Sequence, residues 1–223
     1  MIQITKSTHI ADKIQSLKLA MLQAENIQVT KSGSSFDTEL KNLEKELSEK
    51  FSKRPPSDDP VISATRRLYR QIGWEPTKYR PSSEALVRRL IQGKGLYRIN
   101  NLVDYGNLVS ARYHIPMGLY DCAKIEGSVL IDVGRDDEYY QGISKDRITA
   151  TGKIILRDDR GVFGNPTADS KRTSIQKETT DIIALFFVST AINKDYLLET
   201  LHSLKRFYGL FTDKDITTDI ANL

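Results

Sequence analysis

The 223-residue sequence is poor in the residues that build disulfides, metal sites and membrane spans. Cys122 is the single cysteine, which excludes an internal disulfide, and the three histidines (His9, His114 and His202) have no pair at ligand spacing. The longest apolar run, residues 182–188, has seven residues and is far shorter than a membrane-spanning helix. Residues 1–20 lack the apolar core and cleavage site of a signal peptide. We therefore expect a cytoplasmic protein with no metal, no cofactor and no membrane partner.

Two common catalytic signatures are also missing. Gly93-Lys94-Gly95 lacks the preceding glycine and the hydroxyl residue that a phosphate-binding loop needs. No Gly-x-Ser-x-Gly motif of a serine hydrolase occurs in the sequence. These absences argue against a nucleotide-binding loop of this type and against a serine hydrolase with this motif.

Charge is present in quantity, and its distribution is uneven. The chain has 33 Lys+Arg and 29 Asp+Glu, a formal net charge of +4. Residues 58–118 alone carry ten basic and five acidic side chains, whereas residues 119–193 carry ten and twelve. A basic cluster on one set of elements can neutralise the phosphates of a nucleic acid. Solvated faces of amphipathic helices have the same composition, so charge alone leaves both interpretations open.

Hydrophobic periodicity changes from helical to extended near Pro116. Before it, apolar residues at three- and four-residue spacing predict a helix around residues 40–51 and three helices between 58 and 114. After it, extended patterns predict strands over 129–133, 153–157 and 181–190, and a final helix follows Asn193. This order predicts an α+β fold, in which a helical layer packs on a mostly antiparallel or mixed β-sheet. We expect residues 1–57 to form a helix-and-strand extension packed on a main domain of residues 58–223, within a single globular unit.

Two polar segments interrupt the apolar patterns. In residues 100–107, Asp104 and Asn107 share a helix face beside Gly106. Residues 169–181 gather hydroxyls, carboxylates and a guanidinium before the last predicted strand. Capping and turns use the same residue types, so the first segment by itself favours a structural role, and the second favours neither a structural nor a functional role.

Several short segments follow one another in an order that points to a known family. They are Ser63-Ala64-Thr65-Arg66-Arg67, residues 79–89, Asn100-Asn101-Leu102-Val103-Asp104-Tyr105-Gly106-Asn107, Pro116-Met117-Gly118-Leu119-Tyr120-Asp121, Lys124-Ile125-Glu126-Gly127, residues 154–159, Asp169-Ser170-Lys171-Arg172-Thr173 and Glu178-Thr179-Thr180. Together they resemble the B3/B4 domain of the phenylalanyl-tRNA synthetase beta subunit, in a free-standing form. The resemblance covers most of residues 58–208.

The resemblance implies a B3/B4-like fold and a tRNA or aminoacyl-tRNA as partner, with a synthetase as a further partner and no DNA. It implies hydrolysis in trans of the ester that joins a wrong amino acid to tRNA. The protein would then be an aminoacyl-tRNA hydrolase that edits, and not a complete ligase, because the chain has no module for aminoacylation. Two alternatives stay open: a non-catalytic tRNA-binding module, and an amino-acid or small-molecule module that has lost tRNA. The amino acid, the tRNA and the oligomeric state are not indicated.

The resemblance, together with the charge pattern, also selects candidate residues. We expect a substrate pocket formed by Asp104, Asn107, Tyr120, Asp121, Asp169, Ser170, Arg172, Thr173, Glu178 and Thr179. The candidate catalytic residues are Thr173, Glu178 and His114. We expect RNA to contact Arg66, Arg67, Arg88 and Arg89. The bacterial embedded form commonly has a histidine where this chain has Gly118, and a glutamate where it has an apolar residue near Leu185. Two polar groups that the resemblance ties to editing are therefore missing.

Overall fold

Several helices begin where a side chain caps the free backbone amides of the first turn. The computed structural model describes residues 2–221, and in this range the α-helices are α1 (Thr8–Lys13), α2 (Ser34–Lys50), α3 (Pro60–Gln71), α4 (Ser82–Ile91), α5 (Asn101–Tyr113) and α6 (Lys194–Tyr208). The Asp59 carboxylate accepts from the amides of Val61 and Ile62, ahead of α3. Asn100 and Asn193 cap α5 and α6 in the same way, and α6 begins directly after Asn193 as predicted.

The strands form two larger sheets and one ribbon. They are β1 (Ile4–Lys6), β2 (Leu17–Ala24), β3 (Met117–Asp121), β4 (Val129–Val133), β5 (Tyr139–Tyr140), β6 (Ile148–Thr149), β7 (Ile154–Asp158), β8 (Gly161–Asn165), β9 (Ala168–Asp169), β10 (Ile182–Ser189) and β11 (Thr217–Ala221). One sheet has the order β1-β4-β7-β8-β9, and the other has the order β11-β2-β10-β3. The pair β1–β4 is parallel, and the other pairs within named strands are antiparallel. Strands β5 and β6 form the separate ribbon.

Three layers result, with one apolar core on each side of the four-stranded sheet. Alternate residues of β2 and β10 face α2, α4, α5 and α6, and the remaining ones face the five-stranded sheet. Strand β10 is buried on both faces, which explains why its sequence is a continuous apolar run and not an alternating one. The fold is α+β as predicted. The sequence pattern suggested one sheet, however, whereas β10 and the β4–β7 pair belong to two facing sheets.

The sheet order sets the position of the site. Strand β3 ends the four-stranded sheet and β9 ends the five-stranded sheet, and these two edge strands contact each other. Helix α5 approaches β3 closely at Gly106, where an added Cβ would lie 2.5 Å from the Met117 Cε atom. Strand β2, contributed by residues 1–57, lies inside the sheet between β11 and β10.

Candidate functional site

A cleft of about 570 Å³ opens beside α5, close to the edge strands β3 and β9. Residues from α5, the α3–α4 connection, the segment 143–153 and the β8–β9 turn form its wall. Its volume lies in the range of small-molecule sites. A second groove of about 460 Å³ runs along β5 and β8. The first cleft is the better candidate because it is larger and contains a carboxyl group with a perturbed pKa.

That carboxyl group belongs to Asp169, the last residue of β9. Its Oδ1 atom accepts a 2.6 Å hydrogen bond from the Tyr120 hydroxyl, and the backbone amide of Leu119 also donates to the carboxylate. Burial raises the pKa of Asp169 to about 7, and the two hydrogen bonds offset this rise only in part. A carboxyl group that titrates near neutral pH inside a cleft is suited to general acid–base chemistry.

The Tyr120 side chain, which donates to Asp169, packs between two glycines. The Tyr120 side chain is completely buried, and a Cβ at Gly118 or at Gly164 would overlap its hydroxyl group. Gly118 is the position where the resemblance leads us to expect a histidine. In this chain no side chain fits there, because the phenol that reaches Asp169 already occupies the space. Leu185 pairs with Gly118 in the ladder and is buried between the two sheets.

An aromatic wall with a lysine faces the same cleft. The Trp74 ring stacks on Tyr69 at a centroid distance of 4.1 Å, and the Tyr79 ring lies 6.1 Å from Trp74. The Lys153 Nζ atom lies 4.6 Å from the centre of the Tyr79 ring and 5.7 Å from that of Trp74. Burial, followed by the nearby Lys145, lowers the pKa of Lys153. The cleft thus offers flat rings and positive charge together.

Two polar atoms in this wall have no hydrogen-bond partner. Trp74 Nε1 and Ser82 Oγ are buried and unpaired within the described range, and both residues line the cleft. Buried polar atoms are normally paired, so a ligand with suitable oxygen or nitrogen atoms would complete their bonding.

The structure brings few of the predicted pocket residues to this cleft. Of the set listed above, all within residues 2–221, Asn107 and Asp169 line it, and Tyr120 reaches it through Asp169. Asp104 is buried at the start of α5, where it accepts hydrogen bonds from the Ser32 hydroxyl and the Ile99 amide. These bonds tie the N-terminus of α5 to the chain before it.

The remaining predicted residues do not line this cleft. Asp121 accepts from the Thr179 hydroxyl at 2.8 Å, the Ser170 and Thr173 hydroxyls bond at 2.9 Å, and Arg172 binds Asp158 through two hydrogen bonds. Ser170 and Arg172 line the second groove, and the Glu178 side chain is exposed. The structure therefore distributes the predicted residues between the cleft, the second groove and contacts within the protein.

His114 belongs to a separate buried cluster that joins α2, α3 and α5. Its Nε2 atom lies 2.8 Å from Lys50 Nζ, which in turn lies 2.8 Å from Asp59 Oδ2. Burial lowers the pKa of His114 to about 4, so the ring is neutral and accepts from Lys50, while Nδ1 donates to the Ala111 carbonyl. Both ring nitrogens are thus occupied by bonds between helix ends, away from the cleft wall.

The predicted RNA-binding arginines fall into two pairs. Arg66 and Arg88 bind the buried carboxylate of Glu84 at 3.0 and 2.9 Å, so part of their charge is compensated inside the helical layer. Arg67 bonds to Ser63, and the Arg89 guanidinium lies over the Tyr97 ring. The second pair therefore keeps more of its charge available for a partner.

Sequence reasoning missed the aromatic wall and Lys153. Trp74 and Tyr79 lie in the connection between α3 and α4, and not on the apolar stripe of either helix. A tryptophan in a connection is a signal of function, because loops carry functional residues more often than their share of the chain suggests. The signal is weak, since most loop residues have no such role. Lys153 had no such signal, since an isolated lysine before a strand is ordinary.

The family model for the B3/4 domain matches residues 64–208. The chain belongs to the B3/4 domain family. The phenylalanine–tRNA ligase beta subunit of Fusobacterium nucleatum subsp. nucleatum is 32% identical over 134 residues, which is 57% of this chain. This B3/4 chain spans 15% of the length of that relative.

A solved structure is also similar to this B3/4 chain. It is an N-terminal fragment of the phenylalanyl-tRNA synthetase beta subunit from Pyrococcus horikoshii, with a TM-score of 0.45 and 10% identity. The match covers 98% of this chain and 50% of that fragment.

Among residues 2–221, no helix has the length and hydropathy that crossing a bilayer requires. In the same range, no group of three or more His, Cys, Asp or Glu side chains is arranged to hold a metal ion.

Proposed function

We propose that the protein binds the aminoacylated 3′ end of a tRNA in this cleft and hydrolyses the ester of a wrongly attached amino acid. The observation that carries the proposal is Asp169, whose pKa of about 7 makes it half ionised near neutral pH in a cleft of small-molecule size. Membership of the B3/4 family and similarity to a phenylalanine–tRNA ligase beta subunit support this substrate class.

In the proposed reaction, ionised Asp169 accepts a proton from water, and the water oxygen attacks the ester carbonyl carbon. The bond between that carbon and the ribose oxygen breaks, and the proton passes to the ribose oxygen. The products are a free amino acid and a tRNA with a free 3′ end. Lys153 and the Asn107 amide line the same cleft and are suited to stabilise the developing oxyanion.

The wall of the cleft also suits the nucleotide that carries the ester. Trp74 and Tyr79 offer aromatic rings in the wall, and the positive charges of Lys145, Arg147 and Lys153 favour phosphate. This combination supports a nucleotide-linked substrate over a free amino acid.

The test is release of amino acid from a panel of misacylated tRNAs. We expect Asp169→Asn to lower kcat by about 10²- to 10⁴-fold, the usual effect of losing a general base. Asp12→Asn, the same chemical change at an exposed position of α1 outside the cleft, is the matched control and should leave the rate unchanged. We expect the wild-type rate to rise with pH and to level off above about pH 7, because the carboxylate form is required.

Other outcomes separate the alternatives. No turnover on any tRNA, together with tight binding that weakens steeply with salt, would support a non-catalytic tRNA-binding module. A melting temperature raised by free amino acids, without tRNA binding, would support a small-molecule module.

A further inference from the structure

Most of the large exposed hydrophobic side chains lie in or near the cleft. In the described chain the large hydrophobic side chains that are more than half exposed are Tyr97, Ile99, Tyr139, Ile143 and Leu210, of which Leu210 follows α6 and is not part of the cleft wall. Ile99 and Ile143 line the cleft itself, Tyr97 lies two residues before Ile99, and Tyr139 lines the second groove, along β5 and β8. An exposed apolar cluster of this kind marks an interaction surface.

The Tyr97 ring is held on one face by an arginine. The Arg89 guanidinium carbon lies 3.9 Å from the ring centre, and Arg89 also donates to the Tyr97 hydroxyl at 3.2 Å. Tyr97 is 59% exposed, and it lies two residues before Ile99. The intervening Arg98 turns to the other side, over the Phe36 ring. Tyr97 therefore presents a fixed, accessible ring beside the cleft.

Tyr139 repeats this arrangement on the β5–β6 ribbon. The Arg147 guanidinium carbon lies 3.9 Å from the Tyr139 ring centre, and Tyr139 is 54% exposed. Arg147 lines the cleft, as does Thr149, the partner of Tyr139 in the ribbon. A second tyrosine ring, packed against an arginine side chain, thus lies next to the cleft.

From these two pairs we infer that Tyr97 and Tyr139 stack unpaired bases of single-stranded RNA whose 3′ end enters the cleft. Every base has a flat face that stacks on an aromatic ring, and the arginine on each ring supplies charge for the adjoining phosphate. Lys145 and Lys153 extend the positive charge into the cleft wall. A purely apolar partner would not match this pattern of paired rings and cations. The inference rests on the proposed function and adds the route of the unpaired nucleotides.

The experiment measures binding of a labelled RNA hairpin with an unpaired 3′ tail, and of the same hairpin made blunt. We expect wild-type protein to bind the tailed RNA more tightly. Tyr97→Ala and Tyr139→Ala should each weaken tailed binding by about 5- to 100-fold, with little change for the blunt RNA. Tyr97→Phe and Tyr139→Phe keep the ring and should bind nearly as the wild type does.

Leu210→Ala is the matched control, because Leu210 is 64% exposed but lies outside the cleft wall. It should leave binding of the tailed RNA unchanged. Equal wild-type affinity for tailed and blunt RNA, or unchanged binding in both Tyr→Ala variants, would overturn the inference. Deacylation by the wild type, measured in parallel, reports on the proposed function separately. Active enzyme with unaffected Tyr→Ala variants would refute the stacking route and leave hydrolysis standing.

Discussion

Glu84 and Asp169 are two carboxyl groups in very different surroundings. Glu84 is fully buried and binds the guanidinium groups of Arg66 and Arg88, with Arg80 at 3.8 Å. Asp169, by contrast, accepts from the neutral Tyr120 hydroxyl and from a backbone amide, with no cationic partner among residues 2–221. The charge of Glu84 is compensated, so it joins α3 to α4, whereas Asp169 remains able to exchange a proton. A carboxylate paired with arginines thus belongs to the structural framework, and a carboxyl group without such a partner belongs to the candidate site.

The same comparison changes how the basic segment is understood. Residues 58–118 contain an excess of positive charge, but the Glu84 carboxylate compensates part of the charge of Arg66 and Arg88. The formal charge of a segment therefore overstates what an RNA would meet. Arg67 and Arg89 are the better candidates for direct RNA contact.

The largest expected effect is on Glu84. Glu84→Gln leaves closely spaced guanidinium groups without their common anion, and we expect it to lower the free energy of unfolding by about 3 kcal/mol. Urea denaturation at neutral pH measures this. Glu199→Gln, on the exposed face of α6, is the control and should change stability by less than about 0.5 kcal/mol. A similar small change for Glu84→Gln would remove its role as a structural anion.

The next effect is at Gly118, which shapes the Asp169 side of the comparison. Gly118→Ala forces a methyl group against the Tyr120 hydroxyl, and we expect a loss of about 2 kcal/mol in the free energy of unfolding. Adding Tyr120→Phe removes the nearest clashing atom and should restore part of that loss. A single variant as stable as the wild type would show that the Tyr120 hydroxyl does not pack against Gly118.

A pH dependence follows from Asp169. Its pKa is about 7 in the folded protein and near 3.8 in the unfolded chain, so between these values the folded state holds a proton that the unfolded state has lost. This linkage makes the free energy of unfolding fall as pH rises through that window. Asp169→Asn lacks it, and should gain about 1–3 kcal/mol relative to the wild type from pH 4 to pH 7. Parallel stability curves for the two proteins would show that Asp169 titrates normally.

The smallest effect separates the two arginine pairs. Arg67→Ala should change the free energy of unfolding by less than about 0.5 kcal/mol, yet reduce the salt dependence of tRNA binding by about one phosphate contact. Arg66→Ala should instead cost about 2 kcal/mol, because Glu84 loses a buried partner. Salt titration and urea denaturation of both variants test this. The opposite ranking would mean that Arg67 is structural.

Some features of the fold follow from short stretches of chain. The caps at Asp59, Asn100 and Asn193 act within one helical turn, so the starts of α3, α5 and α6 can be predicted from neighbouring residues. Sheet membership cannot be predicted in this way. The apolar run of β10 indicates burial on both faces, but it does not say that a second sheet, rather than more helices, covers one of them.

For the candidate site, the predicted set contains Asp169 and its partner Tyr120, together with residues that lie outside the cleft. Thr173, Asp121 and Thr179 are of the polar types that binding sites use, yet their side chains bond within the protein. Thr173 bonds to Ser170, and Thr179 donates to Asp121. Trp74, Tyr79 and Lys153 carried almost no signal, because aromatic and basic residues in connections are common.

The amino-acid sequence by itself determined the α+β class, the capped starts of α3, α5 and α6, the interior strand and the resemblance to the B3/B4 domain. These depend on local periodicity and on motifs read in order. The tertiary structure alone decided the cleft and the state of Asp169. The Tyr120 hydroxyl that bonds to Asp169 comes from a residue 49 positions away, and the aromatic wall comes from a third part of the chain. A pKa depends on burial and neighbours in space, which single-sequence patterns do not specify.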